Sequence, residues 1–134
     1  MQLKRLDNFG NSSARGFVRT GDEVMIAGII IRGPGTQTTI VRGLGPTLGQ
    51  PPFNVPNALQ DPFLDLRDGN GNRIAANDNW RTEDESRIQA TGLAPPNDAE
   101  AAILIDLTPG TYTAILSGVN STTGNALMEV YALD

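Results

Sequence analysis

The chain has no cysteine and no histidine, and only 5% of its residues are aromatic. Without cysteine there is no disulfide, no thiol nucleophile and no thiolate metal site. A domain of 134 residues buries one core without such staples, so the absence leaves the compartment open. Without histidine the commonest general base and transition-metal ligand are missing. Ser-His-Asp, Cys-His and His-zinc chemistries are excluded. Few aromatics leave little with which to line a sugar cleft. A formal charge of -5 argues against nucleic acid, whose binding rests on neutralising phosphates. No apolar run reaches the length of a membrane span. Met1-Gln2-Leu3-Lys4-Arg5 opens no apolar leader stretch. An extracellular or cell-surface location therefore carries the expectation that a leader is absent from this sequence.

What is present is punctuation. Gly 15 and Pro 9 fall between short apolar runs, in a chain that is 39% hydrophobic. That pattern predicts many short strands joined by turns. Weak strands are expected near 2–7 and 14–19. Val24 to Ile31 is a continuous, β-branched run that reads as a strand buried on both faces, with Thr38 to Arg42 as its hairpin partner. Residues 43–61 are proline-rich and read as a long loop crossing between sheets. Phe63–Arg67 and Arg73–Ala76 flank Asp68-Gly69-Asn70-Gly71, a strong hairpin signal. A short helix is expected over Thr82 to Thr91, capped by Thr82 with Glu85 three positions on and ended by Gly92. Alternation then places Ile103, Ile105 and Leu107 on one face, Tyr112, Ala114 and Leu116 on one face, and Met128 and Val130 opposite Leu127, Glu129 and Tyr131. These elements predict an all-β, jelly-roll-like two-sheet β-sandwich of about eight or nine short strands with at most one short helix. It is expected to be one domain, 1–134, without internal repeats.

Several blocks carry a resemblance. They are Arg19 to Val24, Val41 to Leu48, Asn77-Asp78-Asn79-Trp80, Gly92-Leu93-Ala94-Pro95, Leu107 to Ala114 and Thr123 to Tyr131. In this order they resemble a family of β-sandwich domains in bacterial exported proteins, often repeated or appended to larger surface proteins. The C-terminal half is similar to bacterial pre-peptidase C-terminal domains. The resemblance implies a non-catalytic spacer, binding module or assembly unit and brings no catalytic residue with it. This chain departs from the pattern in having no enzyme attached.

Candidate sites each have a plainer explanation. Asp68, Asn70 and Asn72, followed by Asp78, offer oxygen ligands at spacings that suit Ca²⁺, or simply a tight hairpin. Asp78, Glu83, Asp84 and Glu85 form an acidic patch, suited to glycosidase work or to solvation. Trp80 is a sugar platform or a plug at the end of the sandwich. Glu100 accepts bonds from loop amides or pairs with an arginine. Asn11 and Asn120 begin glycosylation-acceptor triplets that are also ordinary loop sequences.

Residues 1–20 are a patchy strand former that pairs within its own domain or, as an N-terminal strand available for intermolecular pairing, adds to the next copy. Lys4, Arg5, Arg15, Arg19, Arg32 and Arg42 make the start basic, whereas 61–100 hold most of the acids. The residues singled out for self-association are Leu3, Leu6, Phe9 and Phe17, with Arg5 and Arg15 meeting acids on a neighbour. The expected function is a non-catalytic structural or adhesive protein, partnered by identical copies and forming a filament. The alternative is an accessory module that binds a surface polysaccharide or Ca²⁺; no cofactor is expected beyond that Ca²⁺.

Overall fold

A computed structural model of the chain describes residues 2–7 and 11–133. Among them are nine strands in two packed sheets, the all-β sandwich that the turn spacing predicts. The first sheet has the order β1 (Gln2–Asp7), β3 (Met25–Ile31), β8 (Gly110–Gly118), β5 (Pro62–Arg67) and β6 (Arg73–Asn77). The second runs β2 (Asn11–Val18), β9 (Gly124–Leu133), β4 (Gln37–Leu44) and β7 (Ala101–Leu107). All pairings are antiparallel except β1 with β3, which is parallel. Only β5 and β6 are successive strands of one sheet; every other step along the chain changes sheet.

The main core lies between the sheets and follows the period-two alternation of the strands. Met25, Ala27, Ile29 and Ile31 of β3 meet Leu64, Leu66, Ala114 and Leu116 of the same sheet and Ala126, Met128 and Val130 of the other. Full burial of each large side chain contributes roughly 1.5–3 kcal/mol, which makes this interface the main stabilising term. Gly43 faces inward where an added Cβ would stand 2.8 Å from a Leu116 methyl.

Two expectations about the most apolar run need correction. Its outward residues Ile26, Gly28 and Ile30 are half-buried, so the strand buries one face in the core and leaves the other partly open. Thr38 to Arg42 is not its hairpin partner, because β4 lies in the opposite sheet. Both edges of β3 are already taken, by β1 and β8. Ile40 and Val41, on opposite faces of β4, are both fully buried, and only the second sheet offers cover on two sides.

The loop after β4 does cross between sheets as expected. It passes through a 3-10 turn at Pro46–Gly49 and inserts Leu59 into the core. The helix is shorter than expected. α1 spans Glu85–Ala90, and Thr82 does not cap it. Instead the Thr82 hydroxyl donates to the carbonyl of Asn79 at 2.8 Å, closing a separate turn, and Asp84 enters the helix at φ 55°. Gly92, at φ 76°, ends it as foreseen.

Candidate functional site

The segment from Asn77 to Glu100 lies on the outer face of the second sheet and gives it a core of its own. Trp80 and Ile88 pack there against Ile40 of β4 and Ala102 and Leu104 of β7. β7 therefore buries both faces, and Ala101 to Leu104 is buried without alternation. Trp80 is not an end plug: it is the centre of this cap, 2% exposed, with the Arg81 guanidinium 4.3 Å from its ring centroid. Among the described residues its indole N–H has no acceptor.

Two buried polar side chains clasp the cap. Glu100, fully buried, receives four hydrogen bonds. The amides of Gly45 and Thr47 donate to Oε2 at 2.9 Å each, and the Thr47 hydroxyl and Asn97 amide donate to Oε1 at 2.7 and 3.0 Å. The loop-amide role is the one the structure assigns, with no arginine among these partners. Gly45 is required beside it, since a Cβ there would stand 1.9 Å from the Leu59 carbonyl oxygen. Asn77 works at the other end. Its Oδ1 accepts from the Ala102 amide at 3.1 Å and its Nδ2 donates to the Asn79 carbonyl at 3.0 Å.

A charged clasp joins the cap to the sheet. Arg42 pairs with Glu129, and its guanidinium donates to the Leu93 carbonyl at 3.2 Å and stands 5.5 Å from the Tyr131 ring centroid. The Tyr131 hydroxyl donates to Glu129 at 2.9 Å. Burial, and then the Glu129 carboxylate, push that phenol above its usual pKa of 10.0. The sequence reading missed Asn77, Arg42 and Glu129. The usable signal was Ile40-Val41 and Ala101 to Leu104, adjacent apolar residues that demand cover on both sides of a strand.

Half of the acidic patch, Asp84 and Glu85, is tied up in ion pairs. Glu85 and Asp98 pair with Arg81, and Asp84 with Arg87. Glu83 and Asp84 line a cavity of about 80 Å³ between β6, β7 and α1, whose remaining walls are Ala75, Ala76, Ile88 and residues 102–105. Ligand pockets are typically about 300–1,000 Å³, so this one is too small for a sugar substrate.

Of the proposed Ca²⁺ ligands, Asp68, Asn70 and Asn72 share one turn and Asp78 lies apart from them. Asp68 Oδ1 accepts from the amides of Asn70 and Asn72 at 2.9 and 3.0 Å, which builds the hairpin turn. Asp78 follows the far end of β6, roughly 20 Å of extended chain from Asn72. Its neighbour is Asp61, whose carboxyl is held above its usual range first by burial and then by Asp78. Among the described residues no group of three or more acids is placed to hold a metal. Elsewhere on the first sheet, Asp65 is buried between Arg67 and Arg73 at 2.9 and 3.0 Å. Burial raises its pKa, but the bonds from Arg73 and Arg67 outweigh this and leave it below the usual value.

Of the residues singled out for self-association, Leu3, Arg5 and Leu6 lie on β1, opposite Ile26, Gly28 and Ile29 of β3. Phe9 lies outside the described residues. Arg15 and Phe17 are exposed on the outward face of β2, with the Arg19 guanidinium 4.8 Å from the Phe17 ring centroid. Asn120 is exposed in a 3-10 turn at φ 55°, and Asn11 opens β2 opposite Tyr131.

No protein-family model matches the chain, and no curated protein matches it by sequence. Solved structures do match its fold. The pre-peptidase C-terminal domain of collagenase from Bacillus anthracis superposes with a TM-score of 0.58 at 12% identity, over 96% of this chain and 93% of that one. PliG from Aeromonas hydrophila, a periplasmic inhibitor of g-type lysozyme, gives 0.53 at 10% identity, covering 98% of each chain. CorA of Methylomicrobium album BG8, a surface-associated copper-binding protein, gives 0.50 at 11% identity, again over 98% of each. At these identities the likeness is one of fold. It agrees with the resemblance to pre-peptidase C-terminal domains. Among the described residues no helix is long and apolar enough to cross a membrane.

Proposed function

We propose that this chain is a non-catalytic structural module of a bacterial exported protein, and that it works by associating with copies of itself into a filament. The observation that carries this reading is β1, a six-residue strand at the edge of the first sheet that pairs in parallel with β3, the most apolar strand of the fold. The fate of the buried polar groups supports the non-catalytic part. Glu100 and Asp65 are engaged by amides, a hydroxyl and arginines of their own chain, so neither carboxylate is poised to exchange a proton with a substrate. The sandwich is also the fold of a collagenase's pre-peptidase C-terminal domain, a periplasmic inhibitor and a surface-associated protein, which fits an exported accessory role and membership of the exported repeat family. Arg15 and Phe17, outward on β2, are the side chains offered to a neighbour.

The test is light scattering with electron microscopy of the purified chain over a concentration series. Linear particles that lengthen with concentration are expected. A strictly monomeric protein at the highest concentration sinks the reading.

A further inference from the structure

We propose that the free edge of β7, beside the cavity it shares with β6, is a docking site for an extended, basic segment of a partner protein, which adds to β7 as a further strand. The inference does not depend on self-association, since β1 and β2 stand at the other ends of their sheets. β7 is paired on one side only, by β4. It is Ala101–Leu107, regular in register, without proline, and Asp106 is its one charge. Natural sheets blunt their edges with basic side chains, prolines or bulges. Of the edge strands, β1 carries Lys4 and Arg5, β2 carries Arg15, and β6 carries Arg73 beside a register shift. β7 has none of these.

Three features describe the occupant. The first is a row of main-chain groups. In an antiparallel ladder, successive residues turn these groups to opposite sides. The Glu100 carbonyl accepts from the Trp80 amide at 2.9 Å and the Ala102 amide donates to Asn77 Oδ1 at 3.1 Å, so even-numbered positions face away from β4. Leu104 and Asp106 follow in the same phase, and among the described residues their amides have no partner on that side. Leu104 is only 9% exposed, and a buried main-chain group left unpaired is costly. The second is the cavity of about 80 Å³, walled by Ala75 and Ala76 of β6 and by residues 102–105 of β7. A cavity of about 150 Å³ takes up benzene, so this one suits a small aliphatic side chain. The third is charge. Glu83 and Asp84 line the cavity; Asp84 pairs with Arg87, whereas Glu83 has no ion pair among the described residues. Asp106 stands exposed farther along, bonded by the Thr38 hydroxyl. An extended segment meets all three: its main chain serves Leu104 and Asp106, a valine or alanine enters the cavity, and flanking lysines or arginines meet the carboxylates.

The probe is the synthetic peptide Lys-Val-Thr-Val-Thr-Val-Lys, with a copy carrying glutamate at both ends as control. Amide hydrogen exchange of the whole chain reads the contact. With the basic peptide at about ten times its Kd, exchange at Leu104 and Asp106 slows about tenfold while exchange in β2 is unchanged. Glu83→Lys weakens binding roughly fivefold. Asp106→Pro removes an outward donor without taking a bond from the ladder to β4, and weakens binding about tenfold. Thermal melts check that both variants are folded. Should Asp106→Pro not fold, exchange at Leu104 and the Glu83→Lys affinity decide. No binding of the basic peptide, equal binding of the acidic control, or protection that falls on β2 instead of β7 overturns the proposal. Light scattering without peptide reports separately on self-association, so the two readings fail independently.

Discussion

The two sheets share one core but treat their outer faces differently. The second sheet is roofed by residues 77–100, so Ile40, Ala102 and Leu104 are as dry as the residues between the sheets. Among the described residues the first has no such roof over β3 and β8, where Ile26, Ile30 and Ile115 are only half-buried. What differs is the polar hardware. The roofed face holds Glu100, Asn77 and the Arg42–Glu129 pair, each anchoring the cap at a backbone group. The open face has Asp65 between Arg67 and Arg73, with one backbone anchor, from Arg67 to the Gly71 carbonyl in the adjoining hairpin. A short segment with a six-residue helix becomes a third layer only because its ends are pinned by buried side chains that accept from main-chain amides.

The largest way to break this contrast is to remove matched apolar groups. Trp80→Ala should cost about 3–5 kcal/mol, by loss of a wholly buried ring, whereas Ile26→Thr on the open face should cost less than about 1 kcal/mol. Denaturant titration of both variants checks it, and equal costs would erase the distinction. Next comes Glu100→Ala, which leaves the buried amide of Gly45 and the part-buried amides of Thr47 and Asn97 without their acceptor. A loss of roughly 3 kcal/mol is expected, with hydrogen exchange accelerated in 77–100 and not in β3. Exchange accelerating equally in both would mean that the cap is no separate layer.

A smaller effect is the acid response of the open face. Asp65 titrates below its ordinary value, so its contribution is present above the unfolded value of 3.8 and is lost as pH falls through the folded one. Asp65→Asn should cost about 1–2 kcal/mol at neutral pH, a figure already reduced for the partly exposed arginines, and less at low pH. The smallest effect has the opposite sign. Asp61 titrates above its ordinary value, so its contribution is present below 3.8 and disappears as pH rises through the raised value. Asp61→Asn should then stabilise by less than about 0.5 kcal/mol at neutral pH. Thermal melts from pH 3 to 8 separate the two, and parallel curves would refute both assignments.

Much of the sandwich was legible because alternation and turn chemistry are local. The inward sets of β5, β8 and β9, the Asp68–Gly71 hairpin and the helix stop at Gly92 all follow from residues within one element. The pairing of β4 was not legible, since a tight turn such as Gly33-Pro34-Gly35 serves a hairpin and an inter-sheet arch equally well. The site was partly legible. Glu100 stood out as an acid before an apolar strand, and its amide partners in the 45–47 loop were foreseen in kind. Trp80 was misplaced because its pocket is assembled from strands far away in sequence, on a face that alternation alone marks as solvent.

The alternation of layers along the chain sets how the protein can come into being. Since successive strands belong to opposite sheets everywhere but at β5–β6, no stretch of the polypeptide can complete a sheet before nearly all of it is available. The hairpin around Asp68 is the one unit able to form on its own within microseconds; the remainder must wait for distant partners and should condense together, on a timescale of milliseconds to seconds.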